Sequence, residues 1–202
     1  LQQTYSLNRG FQSFKQPGSS IKPLVIYTPA LEEGYDANST LTEIDVKAAK
    51  KSTSEKISKM SGKKMSLRYA VEDSKNGCAY SLYNIITPKV GLSYIENMNF
   101  SKIVQQDYTL SSGLGGLHHG TNTVEMANAY STLENHGEYR QADCISSILD
   151  ASGNEIYEEP ESKTVYTRSA SDQMTDILEG VLNSSAGTAK GLKWSSASDV
   201  AA

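Results

Sequence analysis

The stretch IKPLVIYTPAL, residues 21 to 31, constrains this chain more than any other. A run this apolar gains most by leaving water, so it has to form part of a core. Its pattern reads as a helix over residues 20–33, apolar on one side. Pro23 falls in the first turn, where its missing N–H is tolerated. Pro29 falls deeper and is expected to kink the helix or end its regular bonding. Gly34 follows as a stop signal. The longest uninterrupted apolar part, about residues 24–31, is too short to cross a bilayer.

The rest of the chain can surround such a helix. It has 202 residues, 38% hydrophobic and 21% charged, which fits one large domain or two small ones with a packed core. The net charge of -4 argues against a nucleic-acid surface. Cys78 and Cys144 are too few for a disulfide framework. Residues 36–64 are rich in Ser, Thr and Lys and read as a long surface connection with room for short strands. Helical patterns follow over 65–76 and 77–100, the latter broken near Thr87-Pro88. A glycine-rich loop over 111–122 leads into an amphipathic helix over 123–137, with Gly137 as its stop. Residues 144–159 read as two β-strands around a turn at Ser152-Gly153-Asn154. Residues 169–183 read as a helix with Ile177, Leu178, Val181 and Leu182 as its apolar stripe. Helices and strands mix, so the expected class is α+β. Asn38-Ser39-Thr40 and Asn183-Ser184-Ser185 are formal glycosylation triplets, which chance alone often produces.

Chemistry enters at the start of the apolar run. Ser19 and Lys22 stand three apart, and on a helix positions i and i+3 share a face. A serine hydroxyl becomes a useful nucleophile when a base takes its proton. A lysine serves as that base only when neutral, a state that burial favours. The first turn also has free backbone N–H groups for an anionic intermediate. Ser20, two positions from the lysine, points elsewhere. By itself the Ser-x-x-Lys spacing is common, and it fits a capping serine beside a lysine with a buried stem better than a catalytic pair. Ser74-Lys75-Asn76 is a second candidate: its serine can pass a proton and its asparagine amide can both donate and accept. Ser and Asn also favour plain turns.

Four segments in order resemble the penicillin-binding proteins, the peptidoglycan transpeptidases, and within them the bifunctional class A type. They are RGFQSFKQPGSSIKPLVIYTPALEEGY (9–35), KKMSLRYAVEDSKN (63–76), LSSGLGGLHHGTNTVEMANAYSTLENHGEYR (110–140) and GVLNSSAGTAKGL (180–192). Only the lysine-rich connector falls outside the likeness. The resemblance implies an antiparallel sheet with helices on both sides. It implies Ser19 as the acylated nucleophile, Lys22 as its base, Ser74 as a proton shuttle and Asn76 as a contact to the substrate amide. It further implies D-Ala-D-Ala stem peptides as substrates, β-lactams as mimics that acylate Ser19, and no metal or organic cofactor. A glycosyltransferase domain upstream and a place at the extracytoplasmic face of a bacterial membrane are implied as well.

The family's third motif, Lys-Thr/Ser-Gly, does not occur in the chain. In the family it follows a segment like the last residues here. The expectation is therefore an internal piece of the domain, with a sheet incomplete at both ends, unstable by itself. Two rival readings share the fold: a serine β-lactamase, with Glu125 as the deacylating carboxylate, and a β-lactam sensor or wall-binding module without turnover. Glu125 falls in a segment that looks like family packing. His118-His119 lack further ligands at useful spacing. The glycines at 113, 115, 116 and 120 are followed by no Gly-Lys-Ser/Thr, and residues 187–191 fail the same test. Trp194 is expected to pack.

Overall fold

The structure is a computed structural model and describes residues 7–192. Residues 21–31 are buried without a break. The helix expected to be apolar on one side is thus enclosed all round, the condition in which an all-round apolar helix is stable.

This helix changes register twice. It starts as a 3-10 helix, Gly18–Ile21, continues as a π-helix, Pro23–Tyr27, and ends as α1, Thr28–Glu32. Its two prolines explain the changes. The Lys22 N–H bonds the Ser19 carbonyl, and the next 3-10 bond would need an N–H at position 23. Pro23 has none. The Ser20 carbonyl instead accepts a hydrogen bond from the Tyr130 hydroxyl at 2.8 Å. Further on, the Thr28 N–H bonds the Pro23 carbonyl in π register, and the next such bond would run from position 29 to Leu24. Pro29 has no donor either. The buried Tyr166 hydroxyl donates to the Leu24 carbonyl at 2.7 Å. Pro29 therefore alters the hydrogen bonding, as its position suggests, without ending the helix. Backbone acceptors left open favour new partners, most of all when buried as Leu24 is, and here two tyrosines far along the chain provide them.

Helices pack around this centre. Leu67–Glu72 (α4), Asn76–Ile86 (α5) and Pro88–Asn97 (α6) follow one another, with the α5–α6 break at Thr87 as expected. Thr87 adopts φ +76° and accepts from the Val90 N–H, starting α6. Gly91 lets α6 approach closely, since a β-carbon there would overlap the Val25 carbonyl. Thr123–Glu134 (α7) and Arg168–Asn183 (α8) complete the core. Of the stripe expected on α8, Ile177, Leu178 and Leu182 are buried, joined by Ala170 and Met174, while Val181 is half-buried. Arg68 of α4 pairs with Asp176 of α8.

The lysine-rich stretch is more organised than a solvated connection. Thr40–Glu43 (β1) pairs antiparallel with Lys63–Ser66 (β2), in the register Leu41 opposite Met65. Between them lie Val46–Ala49 (α2) and Ser54–Ser58 (α3). Ile44, Ala49 and Ile57 form a small second core with Tyr80 of α5. Asn84 bonds Ser54 and Ser58, and Ser81 bonds the Thr42 carbonyl, tying the lobe to α5. Short polar side chains do this ordering, which hydrophobic periodicity does not register. The lysines stay exposed.

Glu138–Tyr139 (β3) pairs with Lys163–Thr164 (β4). The strands expected within 144–159 reduce to a single bridge, Leu149 to Glu155, around the expected turn. Ile148, Leu149 and Ile156 are exposed there, so no apolar face is buried to extend the pairing. The class is mixed helix and antiparallel strand, with four described strands in two pairs. Among the described residues no helix is long and apolar enough to cross a membrane. Trp194 and the segment leading to the expected third motif lie outside the described residues.

Candidate functional site

Ser19 sits in the 3-10 turn and is exposed. In a 3-10 helix residues i and i+3 fall on one side, and Ser19 and Lys22 line the same cavity. The approach to this turn is fastened to the glycine-rich loop. Lys15 and Thr121 exchange backbone hydrogen bonds at 2.9 and 2.8 Å. The Gln16 amide donates to the Leu117 carbonyl at 2.5 Å and accepts from the Leu117 N–H at 2.8 Å. Gly115, at φ +85°, lies so close that a β-carbon would overlap the Gly18 backbone. Ser20 also lines the cavity that Ser19 and Lys22 share, and its hydroxyl donates to the Pro17 carbonyl at 2.7 Å.

Lys22 is 2% exposed. Its ammonium donates to the Ser74 carbonyl at 2.9 Å, the Ser74 hydroxyl at 3.1 Å and Asn76 Oδ1 at 2.7 Å. These match the three donors of a lysine. Burial nevertheless pulls its pKa down to about 8, with the nearby Cys78 acting the other way. Removal from water penalises the charged form, so at mildly alkaline pH a substantial share of Lys22 is neutral.

Ser74 comes to this lysine from 52 residues along the chain. It follows α4 and adopts φ +52°, the left-handed region that non-glycine residues enter at a cost of roughly 1–2 kcal/mol. The conformation places both its carbonyl and its hydroxyl on one ammonium. Asn76 begins α5 and is exposed. Lysine only donates, so the amide oxygen must face Lys22, leaving the Asn76 NH2 to donate outward. The four residues singled out in the sequence are thus gathered, with Lys22 as the link between Ser74, Asn76 and the Ser19 turn.

A cavity of about 170 Å³ opens at this point, lined by Ser19, Lys22 and Ser74 together with Tyr27, Tyr130 and Thr188 among others. Tyr27, Tyr130 and Thr188 were not singled out from the sequence. Tyr27 and Tyr130 read as aromatics within helices, and no local pattern marks a side chain that faces a cavity. The Tyr27 hydroxyl is buried and has no hydrogen-bond partner among the described residues. Burial raises its pKa far above the ordinary phenol value.

Glu125 does not line this cavity. Its carboxylate accepts from the Ser101 N–H and hydroxyl, the Thr121 hydroxyl and the Asn122 N–H. Burial pushes its pKa up, but those hydrogen bonds prevail and hold it below the ordinary value. It closes the capping box that starts α7. His118 and His119 are exposed on the loop, their rings edge to face at 4.6 Å. The His118 N–H bonds the buried Asp107, which fixes the loop.

Three comparisons bear on this site. The family model for the penicillin binding protein transpeptidase domain matches residues 2–202. Penicillin-binding protein 4 of Bacillus subtilis is 30% identical over 186 residues, covering 92% of this chain and 30% of the relative. Penicillin-binding protein 2a of Streptococcus pneumoniae is 32% identical over 190 residues, covering 90% of this chain and 25% of the relative. The chain therefore spans a third or less of the length of these relatives. The solved structure of the PonA1 protein from Mycobacterium tuberculosis in complex with penicillin V superposes with a TM-score of 0.70 at 16% identity. It covers 88% of this chain and 50% of the other, a likeness of fold.

Proposed function

The chain belongs to the penicillin-binding-protein transpeptidase family, and from that premise we propose that it carries out the acyl-transfer chemistry of peptidoglycan cross-linking through Ser19. The observation that carries this reading is Lys22, buried and one 3-10 turn from Ser19, bonded to Ser74 and Asn76.

Neutral Lys22 takes the Ser19 proton as Oγ attacks the penultimate D-Ala carbonyl of a stem peptide. The Ser19 N–H, in a first turn where the helix offers it no acceptor, supports the developing oxyanion. The C–N bond to the terminal D-Ala breaks, and the departing amine receives its proton from Lys22 through the Ser74 hydroxyl. The Asn76 NH2 holds a carbonyl of the stem peptide. An amine of a neighbouring stem peptide then attacks the acyl-Ser19 ester, restoring Ser19 and completing the cross-link. A β-lactam enters the same first step by opening its ring on Ser19, and its acyl group stays attached.

The β-lactamase alternative would need a carboxylate at the ester. The hydrogen bonds that tie Glu125 into the cap of α7, away from the Ser19 cavity, weigh against it. The deciding measurement is intact mass after incubation with benzylpenicillin. One adduct that maps to Ser19 and persists for hours is expected, and Ser19→Ala abolishes it. No adduct, or one that survives Ser19→Ala, overturns the assignment. An adduct that hydrolyses within seconds would instead favour the β-lactamase.

A further inference from the structure

We propose that Tyr130 is a positioning residue for the Ser19 turn, holding the nucleophile against Lys22 through a hydrogen bond to the Ser20 carbonyl. This inference rests on the proposed acylation of Ser19 and identifies a residue that sets its geometry.

The argument starts from Pro23. The 3-10 turn runs through Ser19 and Lys22, and its next bond is missing because proline has no N–H. The carbonyl left open is that of Ser20, the residue directly after the nucleophile. Tyr130, 110 residues away on α7, donates to it at 2.8 Å. Among the described residues this is the one hydrogen bond from another element onto the backbone of residues 18–22. The Ser20 side chain is not a substitute, because it bonds Pro17 within the same turn. Gly115 supports the turn from the loop by van der Waals contact alone.

Tyr130 is well placed to transmit a fixed position. It follows Ala129, which is fully buried, and Leu133 one turn later is buried too. The start of α7 is locked by the Asn122–Glu125 capping box and by Ser101. Tyr130 also lines the cavity that Ser19 and Lys22 line, so it stands beside the turn it holds. Losing the bond frees the Ser20–Ile21 peptide to rotate, which moves Ser19 relative to Lys22 without removing either. Misplacement of this kind lowers the rate of the bond-making step rather than the affinity.

The test is Tyr130→Phe in the full 202-residue chain, which keeps the ring and its packing. Two readouts are taken: benzylpenicillin acylation, resolved into the noncovalent binding constant and the acylation rate constant, and hydrogen exchange of the Lys22 amide. The expected result is an acylation rate constant about tenfold lower, with the binding constant and the pH midpoint unchanged. The Lys22 amide exchanges about tenfold faster while that of Leu133 does not change, since only the turn is loosened. Pro23→Ala in the Tyr130→Phe background returns an N–H within reach of the Ser20 carbonyl and recovers part of the rate. Unchanged acylation and exchange would overturn the proposal. Weaker binding with an intact rate constant would overturn it in favour of direct contact with the ligand. If the parent chain takes up no penicillin, the acylation reading fails by itself, and the exchange measurement alone decides whether Tyr130 holds the turn.

Discussion

The helix that begins at Gly18 meets the same difficulty at both ends and resolves it in the same way, with different consequences. At the site end, Pro23 leaves the Ser20 carbonyl open, and half-buried Tyr130 answers it at the wall of a cavity. At the core end, Pro29 leaves the Leu24 carbonyl open, and Tyr166 answers it from within the core, stacked on Tyr94 with ring centroids 4.9 Å apart. Water can reach the first neighbourhood and is shut out of the second. An unmet carbonyl is therefore tolerable near the cavity and expensive in the core. The same bond type controls placement at one end and stability at the other.

The largest test of that division is Lys22→Met, which removes the ammonium and keeps an apolar stem. Acylation by penicillin should fall by about 10³-fold or more, as expected when a general base is lost. Stability should fall by about 1–3 kcal/mol, because Ser74 and Asn76 lose a charged donor. A variant that still acylates at more than a tenth of the parent rate would break the assignment of this end to chemistry.

Tyr166→Phe should show the converse. Orphaning a buried carbonyl costs about 1–3 kcal/mol in chemical denaturation, while the acylation rate of the folded fraction stays within about twofold. If the rate dropped tenfold, the two ends would not be independent and the comparison would fail.

The pH profile sharpens the site end alone. In the proposed mechanism neutral Lys22 is the active form, and burial pulls its pKa down to about 8. The acylation rate should rise with pH, bend at about 8 and level off above it. A rate flat from pH 6 to 9 would exclude Lys22 as the base. Asn76→Ala removes an acceptor that favours the ammonium, and the bend should move to lower pH.

Ser20→Ala should have the smallest effect. It loses one hydrogen bond within the turn, worth about 0.5–1.5 kcal/mol, and retains most of the acylation. Abolished labelling would show that the nucleophile had been assigned to the wrong serine.

Much of the site was legible before the fold was known. The Ser19–Lys22 spacing is a local fact, and a helical start of either register puts the two side by side. Ser74-Lys75-Asn76 was legible as a candidate, and its gathering on Lys22 depends on a fold that joins positions 52 residues apart. The connector at 36–64 was underestimated because Asn84, Ser81 and Ser54 order it by polar contacts that leave no hydrophobic period. The strands at 144–159 were overestimated because alternation was present without a surface to bury it against.

The sequence by itself determined the mixed class, the buried centre, the break at Thr87 and the three-residue spacing of Ser19 and Lys22. Each of these depends on neighbours within a few positions: apolar content, the missing N–H of proline, the spacing of a turn. Only the tertiary structure decided how deeply Lys22 is buried, and so its pKa, and which groups answer the carbonyls that Pro23 and Pro29 leave open. Those answers come from Tyr130 and Tyr166, 110 and 142 residues from their acceptors. A proline announces in sequence that a donor is missing, but the replacement is chosen by packing, and packing is a property of the whole chain.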